Sequence, residues 1–366
     1  MKSGLSLGRL GRQALPYFLS PAGHARPPLT VYWSINSACN LACKMCDVGM
    51  GNRESNFSRN LQPRGGGQSI PLELFRSVVD EVAPHQPMIA ITSTEPLLYK
   101  PLCEAIAHVR SRGLEMAVTT NGWLLPDLAD DLAAAGLTRL NVSIDGPPGV
   151  HDFIRGREGA FARAVEGTAR LKEAAARRGL AVETLCACTV TNLNQGHLAD
   201  FLDALPAAAF DRVHFSFMCF VTPQLAAAHN ARWGQAYLAT VTCLGEHARP
   251  EAVDADRLHA ELEGIRRRND PRVHLARNFT REELHDYFHR PERFLSGARC
   301  MASWFIAEII ASGEVIPYTR CYHATFGNIH EEPFLEIWNG PRMRAWRRDV
   351  RRPRRFPACP RCDQCL

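Results

Sequence analysis

The chain has 366 residues, of which 46% are hydrophobic, and its formal net charge at pH 7 is only +5. This length and composition predict a globular protein with one large domain and an appendage. Much of the positive charge comes from the arginine-rich stretch 342–355, which is typical of a solvated basic face and gives little support to nucleic-acid binding. The sequence has no apolar run of about eighteen residues, so we expect no membrane span.

Thirteen cysteines are clustered toward the two ends of the chain. Disulfide scaffolds are short, secreted and dense in cysteine, so this longer chain predicts reduced thiols, metal binding and a cytoplasmic location. Basic and apolar residues alternate in the first nineteen positions, but Gly8, Gly11 and Arg12 interrupt any signal-peptide core. We expect residues 1–28 to form an N-terminal extension with one short amphipathic helix that packs on the domain.

The first predicted strand, residues 29–35, leads into Cys39-Asn-Leu-Ala-Cys43-Lys-Met-Cys46. Thiolates select soft metals and iron–sulfur clusters, and three ligands leave one position open for a substrate or cofactor. A structural zinc site is the alternative interpretation, with a fourth ligand from His24 or Asp47. The spacing therefore predicts a metal centre that takes part in chemistry.

The polar stretch 49–69 has no apolar period and follows the cysteine loop directly, which favours a lid over a disordered insertion. Beyond it, short apolar strands alternate with amphipathic helices, which predicts a parallel sheet with right-handed crossovers. Charged helical sequence from 222 to 290 indicates a helical linker, in which most histidines lie at the surface. The predicted strands are 88–92, 116–120, 139–144, 181–190 and 212–220, and the predicted helices are 72–82, 102–111, 127–135, 161–177 and 195–205.

Three more thiols lie on the predicted fifth and sixth strands. Thr184, Cys186 and Cys188 share one face of the fifth strand by alternation, and we expect both of these cysteines in the core. Cys219 ends the sixth strand, where a thiol can give a hydrogen atom to a substrate radical. A buried core thiol is the alternative for Cys219.

A second cysteine cluster closes the sequence, within the range 291–366. Cys300 and Cys321 bracket two predicted strands, 304–310 and 315–318, which Ser312-Gly313 joins as a hairpin. Two separated thiols and a C-x2-C pair complete a tetrahedral set, and zinc fits this spacing as well as a cluster does. The last three cysteines are Cys359, Cys362 and Cys365.

The C-x3-C-x2-C motif resembles that of the radical S-adenosylmethionine (SAM) superfamily, and the resemblance covers most of the chain. It implies a [4Fe-4S] cluster on Cys39, Cys43 and Cys46, with SAM bound at the fourth iron. The implied fold is α/β, with a partial six-unit TIM-like barrel at 29–221 and a small cysteine-rich α+β domain at the C-terminus.

The segments 326–329 and 335–339, with Gly313, are similar to the twitch/SPASM module of this superfamily. Such a module holds one or two auxiliary [4Fe-4S] clusters. A full SPASM module would have further cysteines after this motif, so the resemblance implies one auxiliary cluster. Its expected ligands are Cys300, Cys321, Cys359 and Cys362, with Cys365 as a possible substitute.

The resemblance also implies SAM-binding residues in the loops that follow the strands. Ser93-Thr94-Glu95-Pro96 occupies the place of a Gly-Gly-Glu-Pro stretch that holds the SAM amino group, although serine and threonine replace both glycines. Ser143-Ile-Asp145-Gly and His151-Asp-x-x-Arg155-Gly resemble the "SxDG" and "HDxxRG" patterns of the branch with auxiliary clusters. The expected SAM-binding residues are Ser93, Thr94, Glu95, Asn121, Ser143, Asp145, Arg155, Thr189 and Asn192.

The implied function is reductive cleavage of SAM to a 5′-deoxyadenosyl radical, followed by oxidation of an unactivated C–H position. A fully ligated auxiliary cluster favours oxidation, and an external donor such as flavodoxin or ferredoxin supplies electrons. Only about 28 residues precede the first strand, too few for the peptide-binding domain of many peptide-modifying members, so we expect a small natural-product intermediate such as a sugar or aminocyclitol.

Three alternatives stay open. The chain can mature a ribosomal peptide with a separate recognition protein. It can be an epimerase that uses Cys219 as its hydrogen donor. It can also be a non-enzymatic iron–sulfur or zinc scaffold, although six βα units and a cofactor loop around Glu95 exceed what an electron carrier needs.

Overall fold

A computed structural model describes residues 7–62, 66–92 and 94–362. In the first part of the chain the elements are α1 (Leu7–Leu19), β1 (Thr30–Ser34), α2 (Asn56–Leu61), α3 (Leu72–Val82), β2 (Met88–Thr92), α4 (Leu102–Ser111), β3 (Met116–Thr120), α5 (Leu125–Ala134), β4 (Arg139–Ser143), α6 (Pro148–Arg155), α7 (Ala160–Arg177), β5 (Glu183–Val190), α8 (Leu198–Ala204) and β6 (Arg212–Phe217). The second part contains α9 (Pro223–Trp233), α10 (Ala255–Arg267), β7 (Val273–Leu275), α11 (Arg281–His289), α12 (Ala302–Phe305), β8 (Ile306–Ile309), β9 (Glu314–Ile316), β10 (Gly327–Asn328), α13 (Phe334–Trp338) and α14 (Pro341–Arg351).

All of the described strands belong to one sheet, in the order β10-β9-β8-β1-β2-β3-β4-β5-β6-β7. In this order, every neighbouring pair from β8 through β1 to β7 is parallel. The pairs β8–β9 and β9–β10 are antiparallel. Six of the parallel strands, β1 to β6, follow each other in chain order, as expected when each is joined to the next by a helical crossover. The fold is therefore the predicted partial barrel with an added C-terminal module.

Alternation along the strands decides which side chains face the helices and which face the inside of the barrel. On β1, Trp33 is buried against Phe75 of α3, with ring centroids 4.8 Å apart, whereas the preceding Tyr32 lines the central cavity. On β5, Cys186 and Cys188 are fully buried, and the intervening Ala187 lines the cavity. The prediction of two core thiols on β5 is therefore confirmed.

The C-terminal range extends this sheet and does not form a sheet of its own. β8 pairs in parallel with β1, and the turn at Gly313, with φ +85°, returns the chain as β9. The predicted hairpin is confirmed, but its first strand is shorter than expected, because Trp304 and Phe305 belong to the short helix α12. Parallel pairing with β1 places the second cysteine cluster beside the barrel.

The segment 222–290, expected to form a helical linker, contains the helices α9, α10 and α11. The segment contains β7, which pairs with β6 through Val213 and Val273. His229 was expected at the surface, but it is fully buried and stacks on Tyr322 with a centroid distance of 4.4 Å. Tertiary contacts with the C-terminal range determine this packing, and no local sequence period reports them. In the part of the chain that the structure describes, no helix is long and apolar enough to cross a membrane.

Candidate metal and cofactor site

A cavity of about 340 Å³ lies at the carboxyl ends of the parallel strands. In α/β barrels the loops at this end carry the chemistry, because every parallel strand delivers its last residues there. The strand residues in its wall are Tyr32, Thr92, Thr119, Thr120, Ser143, Ala187 and Thr189.

The cysteine loop after β1 forms one side of this cavity. Cys39, Cys43 and Cys46 all belong to the wall, so the structure brings the three predicted ligands together. The loop is held by the end of α6, since Lys44 donates its backbone N–H to the carbonyl of Ile154 at 2.8 Å. Gly156 follows with φ +68°, and a β-carbon there would lie 2.8 Å from the carbonyl oxygen of Ala42. Only glycine allows this close approach of α6 to the cysteine loop.

Burial raises the pKa of the Cys39 thiol to about 12, and it also raises the pKa of Cys46. Thiols must lose their protons to ligate iron, so cluster assembly at this loop releases protons. No three His, Cys, Asp or Glu side chains among the described residues converge closely enough to hold a single ion. Asp47, one suggested zinc ligand, is fully buried and accepts the backbone N–H of Cys243 at 2.9 Å. The geometry therefore gives no support to a structural zinc site here.

A buried ion pair lies beside the cysteine loop. Nη2 of Arg155 is 2.5 Å from Oδ2 of Asp145, and Nη1 lies 3.8 Å from Sγ of Cys43. Oδ1 of Asp145 accepts a hydrogen bond from the backbone N–H of Thr189. The backbone N–H of Asp145 donates to Nδ1 of His151. Asp145 thus orients Arg155 toward the cavity, and Arg155 places a positive charge next to a predicted cluster ligand. Arg155 lines the cavity and Asp145 lies behind it, and contacts of these two residues with SAM stay predictions.

Glu95 has a different environment from the one expected. Its side chain is fully buried, and its carboxylate accepts hydrogen bonds from the Thr120 hydroxyl (2.7 Å), the Asn121 N–H (2.8 Å) and the Leu97 N–H (2.9 Å). Burial raises the pKa of Glu95, and these donors oppose the shift. Because the chain itself supplies these donors, Glu95 fixes the loop that carries Asn121, and its contact with the SAM amino group stays a prediction.

The remaining predicted SAM contacts divide into two groups. Asn121, Ser143, Thr189 and Thr94 line the cavity, and the Thr94 hydroxyl is also within 2.9 Å of Oδ1 of Asn36. Asn192 instead joins two loops, because its amide donates to the carbonyl of His247 and accepts the N–H of Arg249, both at 2.9 Å. Asn192 therefore links these two loops, and its contact with SAM stays a prediction. Ser93 lies outside the described residues.

The C-terminal cysteines form a second group. Cys321, Cys359 and Cys362 line a small cavity, and burial together with the neighbouring thiols of Cys362 and Cys300 raises the pKa of Cys359 to about 12. The structure therefore brings together four predicted ligands of the auxiliary cluster, from segments that are far apart in sequence. Cys365 lies outside the described residues.

Aromatic side chains enclose this second group. The hydroxyl of Tyr322 lies 3.4 Å from Sγ of Cys359, and the Tyr322 ring packs near Phe356 and Trp346. His229 stacks on the other side of Tyr322, and burial lowers the pKa of this imidazole. Polar residues, among them Asn56, Thr240, Thr242 and Arg320, also line the small cavity beside these thiols.

Two residues of the central cavity were missed by the sequence analysis. Cys243 is buried in the cavity wall with φ +56°, and Nη1 of Arg320 lies 3.4 Å from its sulfur. Cys243 falls in the range taken for a linker, and no motif marks it. Arg320 directly precedes the predicted ligand Cys321, and that adjacency was the only sequence signal for it. Cys219, the predicted hydrogen donor, is half-buried and also lines this cavity.

The segment expected to be a lid contributes to the same wall. It contains α2, whose Phe57 and Leu61 line the cavity. Asn56 donates to the carbonyl of Leu238, and Asn60 donates to that of Thr319. Residues 63–65 lie outside the described part of the segment. The described part covers the cavity and joins the 238–243 loop to the chain after β9, and movement of a lid stays a prediction.

The residues present fit the expected cofactors. Three soft sulfur donors share one cavity wall with a cation at Cys43 and with the polar ends of β3, β4 and β5. This donor set suits a cubane iron–sulfur cluster on Cys39, Cys43 and Cys46, with SAM against the polar strand ends. The enclosed sulfurs of the second group suit a cluster with protein ligands only.

Comparison with known proteins agrees with these two sites. The profile of the Radical SAM superfamily matches residues 33–205, and that of SPASM, an iron-sulfur cluster-binding domain, matches residues 300–366. Pre-heme d1 synthase of Dinoroseobacter shibae is 24% identical over 96% of this chain and 84% of its own length. Fe-coproporphyrin III synthase of Methanosarcina barkeri is 25% identical over 90% of this chain and 78% of its own.

A solved structure shares the fold. SuiB of Streptococcus suis bound to precursor peptide SuiA superposes with a TM-score of 0.60, and the match covers 87% of this chain and 66% of that one. At 14% identity this likeness shows the common architecture alone.

Proposed function

The chain belongs to the radical SAM superfamily and carries a C-terminal SPASM domain, and from that premise we propose that it oxidises a C–H position of a small-molecule substrate. When bound, the cluster and SAM supply a 5′-deoxyadenosyl radical, which removes a hydrogen atom from an unactivated C–H bond. Cys39, Cys43 and Cys46 hold the cluster in this proposal. Phe57, Leu61 and the other apolar wall residues exclude water from the reacting atoms.

One observation carries the choice of oxidation. The central cavity adjoins a smaller cavity beside Cys362, because Phe57, Cys219 and Arg320 line both of them. A substrate in the central cavity therefore lies next to the thiols of the second site. Oxidation removes two electrons and two hydrogens: one hydrogen atom goes to the radical, one proton is released, and the second electron leaves through the site of Cys300, Cys321, Cys359 and Cys362.

The charge of the cavity wall informs the class of substrate. The described wall residues include Arg155 and Arg320 but no aspartate or glutamate. This wall disfavours an amine such as an aminocyclitol, leaves a neutral sugar possible, and favours a carboxylate. Two relatives that match nearly the whole chain are named for tetrapyrrole products. We therefore place a carboxylate-bearing tetrapyrrole first among the small-molecule substrates, with its reacting edge in the cavity.

A second candidate, epimerisation, is favoured by the position of Cys219. Its half-buried sulfur lines the cavity, where it can return a hydrogen atom to a substrate radical. Peptide maturation receives no comparable support, because the likeness to SuiB shows the fold alone. As a radical SAM enzyme the chain needs an external electron donor, and we propose a cytoplasmic flavodoxin or ferredoxin for this role.

Reaction in D2O separates the two outcomes. The reconstituted enzyme, SAM and a reductant are incubated anaerobically with Fe-coproporphyrin III, and products are analysed by mass spectrometry. Oxidation predicts a product lighter by two hydrogens, one 5′-deoxyadenosine per product and no deuterium at the reacting carbon. One deuterium at that carbon, lost in Cys219→Ala and kept in the control Cys103→Ala, would instead establish that Cys219 returns a hydrogen atom to the substrate radical, which is the step that epimerisation of a chiral substrate requires.

A further inference from the structure

Two segments that the proposed reaction does not use meet beside the second cysteine site. One is the amphipathic helix α1, and the other is the arginine-rich stretch 342–355. Nη1 of Arg351 donates to the backbone carbonyls of Tyr17 (3.0 Å) and Ser20 (2.9 Å), which joins the two segments. Together they form one surface, in which a helix lies against a basic segment.

Helix α1 has a buried side and an exposed apolar side. Tyr17 is 1% exposed and packs edge-on against Trp304, with ring centroids 4.8 Å apart. On the other side, Leu15, Phe18 and Leu19 are 47%, 59% and 68% exposed. Helical spacing places these three side chains next to each other. A cluster of large apolar side chains in solvent is typical of an interaction surface.

Basic side chains border this apolar cluster. The Arg299 guanidinium lies 5.8 Å from the centroid of the Phe18 ring. The adjoining stretch 342–355 contains eight arginines and one acidic residue, Asp349, which accepts the Tyr237 hydroxyl at 2.8 Å. Positive charge therefore predominates around the cluster. We define the α1 face as Leu15, Phe18 and Leu19 with the exposed arginines Arg12, Arg299, Arg352 and Arg354.

The α1 face lies next to a predicted ligand of the second site. Arg299 directly precedes Cys300, and the backbone N–H of Cys300 donates to the carbonyl of Arg354 at 2.9 Å. The buried Tyr17 is within electrostatic range of the Cys300 thiol. A partner on the α1 face therefore comes close to the second site without entering the substrate cavity.

We propose that a small acidic electron carrier of the flavodoxin class docks on the α1 face and accepts the substrate electron from the second cysteine site. This inference rests on the proposed function, in which that electron leaves through the second site. One electron moves and no covalent bond changes in this step, so the second site is oxidised and the flavin of the carrier is reduced. Opposite charges speed and orient the encounter, and a small apolar centre suits the weak contact of a reusable carrier.

Charge and location together favour this partner over two others. A symmetric dimer through the α1 face would bring the arginines of one copy against those of the other. An anionic lipid surface fits the charge, but lipid binding gives no role to the position of the face beside Cys300. An acidic electron carrier uses both properties.

The test measures binding of oxidised flavodoxin to the reconstituted holoenzyme without substrate, by anaerobic isothermal titration calorimetry. Wild type should bind flavodoxin, and the affinity should fall as salt is added, because salt screens exposed charges. Arg299→Glu combined with Arg354→Glu should weaken binding by about 10-fold or more, since like charges then face each other. Phe18→Ser combined with Leu19→Ser should weaken it about 10-fold while keeping the salt dependence of wild type.

A second measurement follows the electron. Enzyme that has been reduced with dithionite and freed of it is mixed with oxidised flavodoxin, and flavin absorbance is recorded by stopped flow. At low protein concentration, the charge-reversed variant should reduce the flavin about 10-fold more slowly than wild type, in proportion to its weaker binding.

A matched control separates the α1 face from net charge. Arg177→Glu combined with Arg212→Glu changes the net charge by the same amount elsewhere on the barrel, where these arginines pair with Asp130 and Glu183. This control should bind flavodoxin like wild type. Circular dichroism and iron content establish that each variant is folded and loaded.

Each contrary result overturns the proposal in a distinguishable way. If the charge-reversed variant binds as tightly as wild type, or the control loses as much affinity, the α1 face is not the docking site. If wild type binds phosphatidylglycerol vesicles and no flavodoxin, the face contacts lipid. If wild type is a dimer that Phe18→Ser with Leu19→Ser dissociates, the face binds a second copy.

Failure of the docking proposal is distinct from failure of the proposed function. None of these binding results bears on the product of the C–H reaction, which the experiment in D2O reports. Hydrogen return to the substrate in that experiment would mean that no electron leaves it, and the exit role of the α1 face would then fail even if flavodoxin binds.

Discussion

Each of the two cysteine sites has a buried arginine beside it, but the two arginines have different partners. At the N-terminal site, Arg155 pairs with Asp145 at 2.5 Å and directs its other nitrogen toward Cys43. At the C-terminal site, Arg361 precedes Cys362 and donates to backbone carbonyls, among them those of Tyr287 and Arg293. The first arrangement places a charge at the edge of a cavity, whereas the second ties the chain to α11.

This difference matches the different tasks proposed for the sites. A site that must bind SAM and substrate needs an open side and charges that face it. A site that only transfers electrons needs no open position for a substrate, and at the C-terminal site Cys300 and Cys359 are buried, with the Tyr322 hydroxyl 3.4 Å from Sγ of Cys359. The comparison leads to the following predictions.

Asp145→Asn should have the largest effect on stability. The substitution keeps the shape but leaves the Arg155 cation buried without its carboxylate, which costs about 3–5 kcal/mol. Anaerobic urea unfolding followed by circular dichroism measures the change. Asp203→Asn, in the exposed pair with Arg268, should leave the free energy of unfolding nearly unchanged, and equal losses in the two variants would contradict the electrostatic role of Asp145.

Arg361→Lys should cost less, about 1–3 kcal/mol, because lysine cannot reach all of the carbonyls that the guanidinium satisfies. The loss should depend little on salt, since the acceptors of Arg361 are backbone carbonyls and lysine keeps the positive charge, and it should appear in the same unfolding assay at low and high salt. A strongly salt-dependent loss would show that the C-terminal arginine works through ion pairing, as Arg155 does.

Much of the architecture was predictable because its signals are local. The C-x3-C-x2-C spacing and the alternation of strands with helices depend on neighbouring residues, and they led to the cysteine loop and the parallel sheet. The contact between Cys243 and Arg320 joins positions 77 residues apart, and β7 and β8 find their places only through the sheet. Such contacts leave no period in the sequence, so the sequence of 222–290 did not indicate β7 or the burial of His229.

The environment of Glu95 shows a second limit of sequence reasoning. The motif indicated a carboxylate near the cofactor loops, and the structure places it there. The Glu95 carboxylate accepts hydrogen bonds from Thr120 and Asn121, which lie at the end of β3. The four-residue motif around Glu95 gives no information about these partners.

The pH dependence of stability should report on the N-terminal site. Burial and Arg155 lower the pKa of His151 well below its usual value of 6.5, so the folded protein keeps this imidazole neutral while the unfolded chain takes up a proton. Stability should therefore fall as the pH decreases below about 6.5, by at most about 1.4 kcal/mol per pH unit. Urea unfolding between pH 5.5 and 7.5 should show a smaller slope in His151→Asn. The exposed His85→Asn should keep the wild-type slope, and no difference between these variants would refute the assignment.

Tyr322→Phe should have the smallest effect. It removes a hydroxyl that lies 3.4 Å from Cys359, and the ring packing with His229 and Phe356 is retained. We expect a loss of about 0.5–1.5 kcal/mol in the unfolding assay, with unchanged iron content. Loss of the C-terminal iron in this variant would mean that the hydroxyl, and not only the thiols, is needed to hold the cluster.

The division of labour between the two sites is tested most directly by 5′-deoxyadenosine formation under dithionite. Wild type should contain about eight irons per chain, as two cubane clusters require, and should cleave SAM. The triple variant Cys39→Ala, Cys43→Ala and Cys46→Ala should lose SAM cleavage entirely, whereas Cys321→Ala, Cys359→Ala and Cys362→Ala should keep it while losing about half of the iron. Equal loss of cleavage in both variants, with both folded by circular dichroism, would contradict the account.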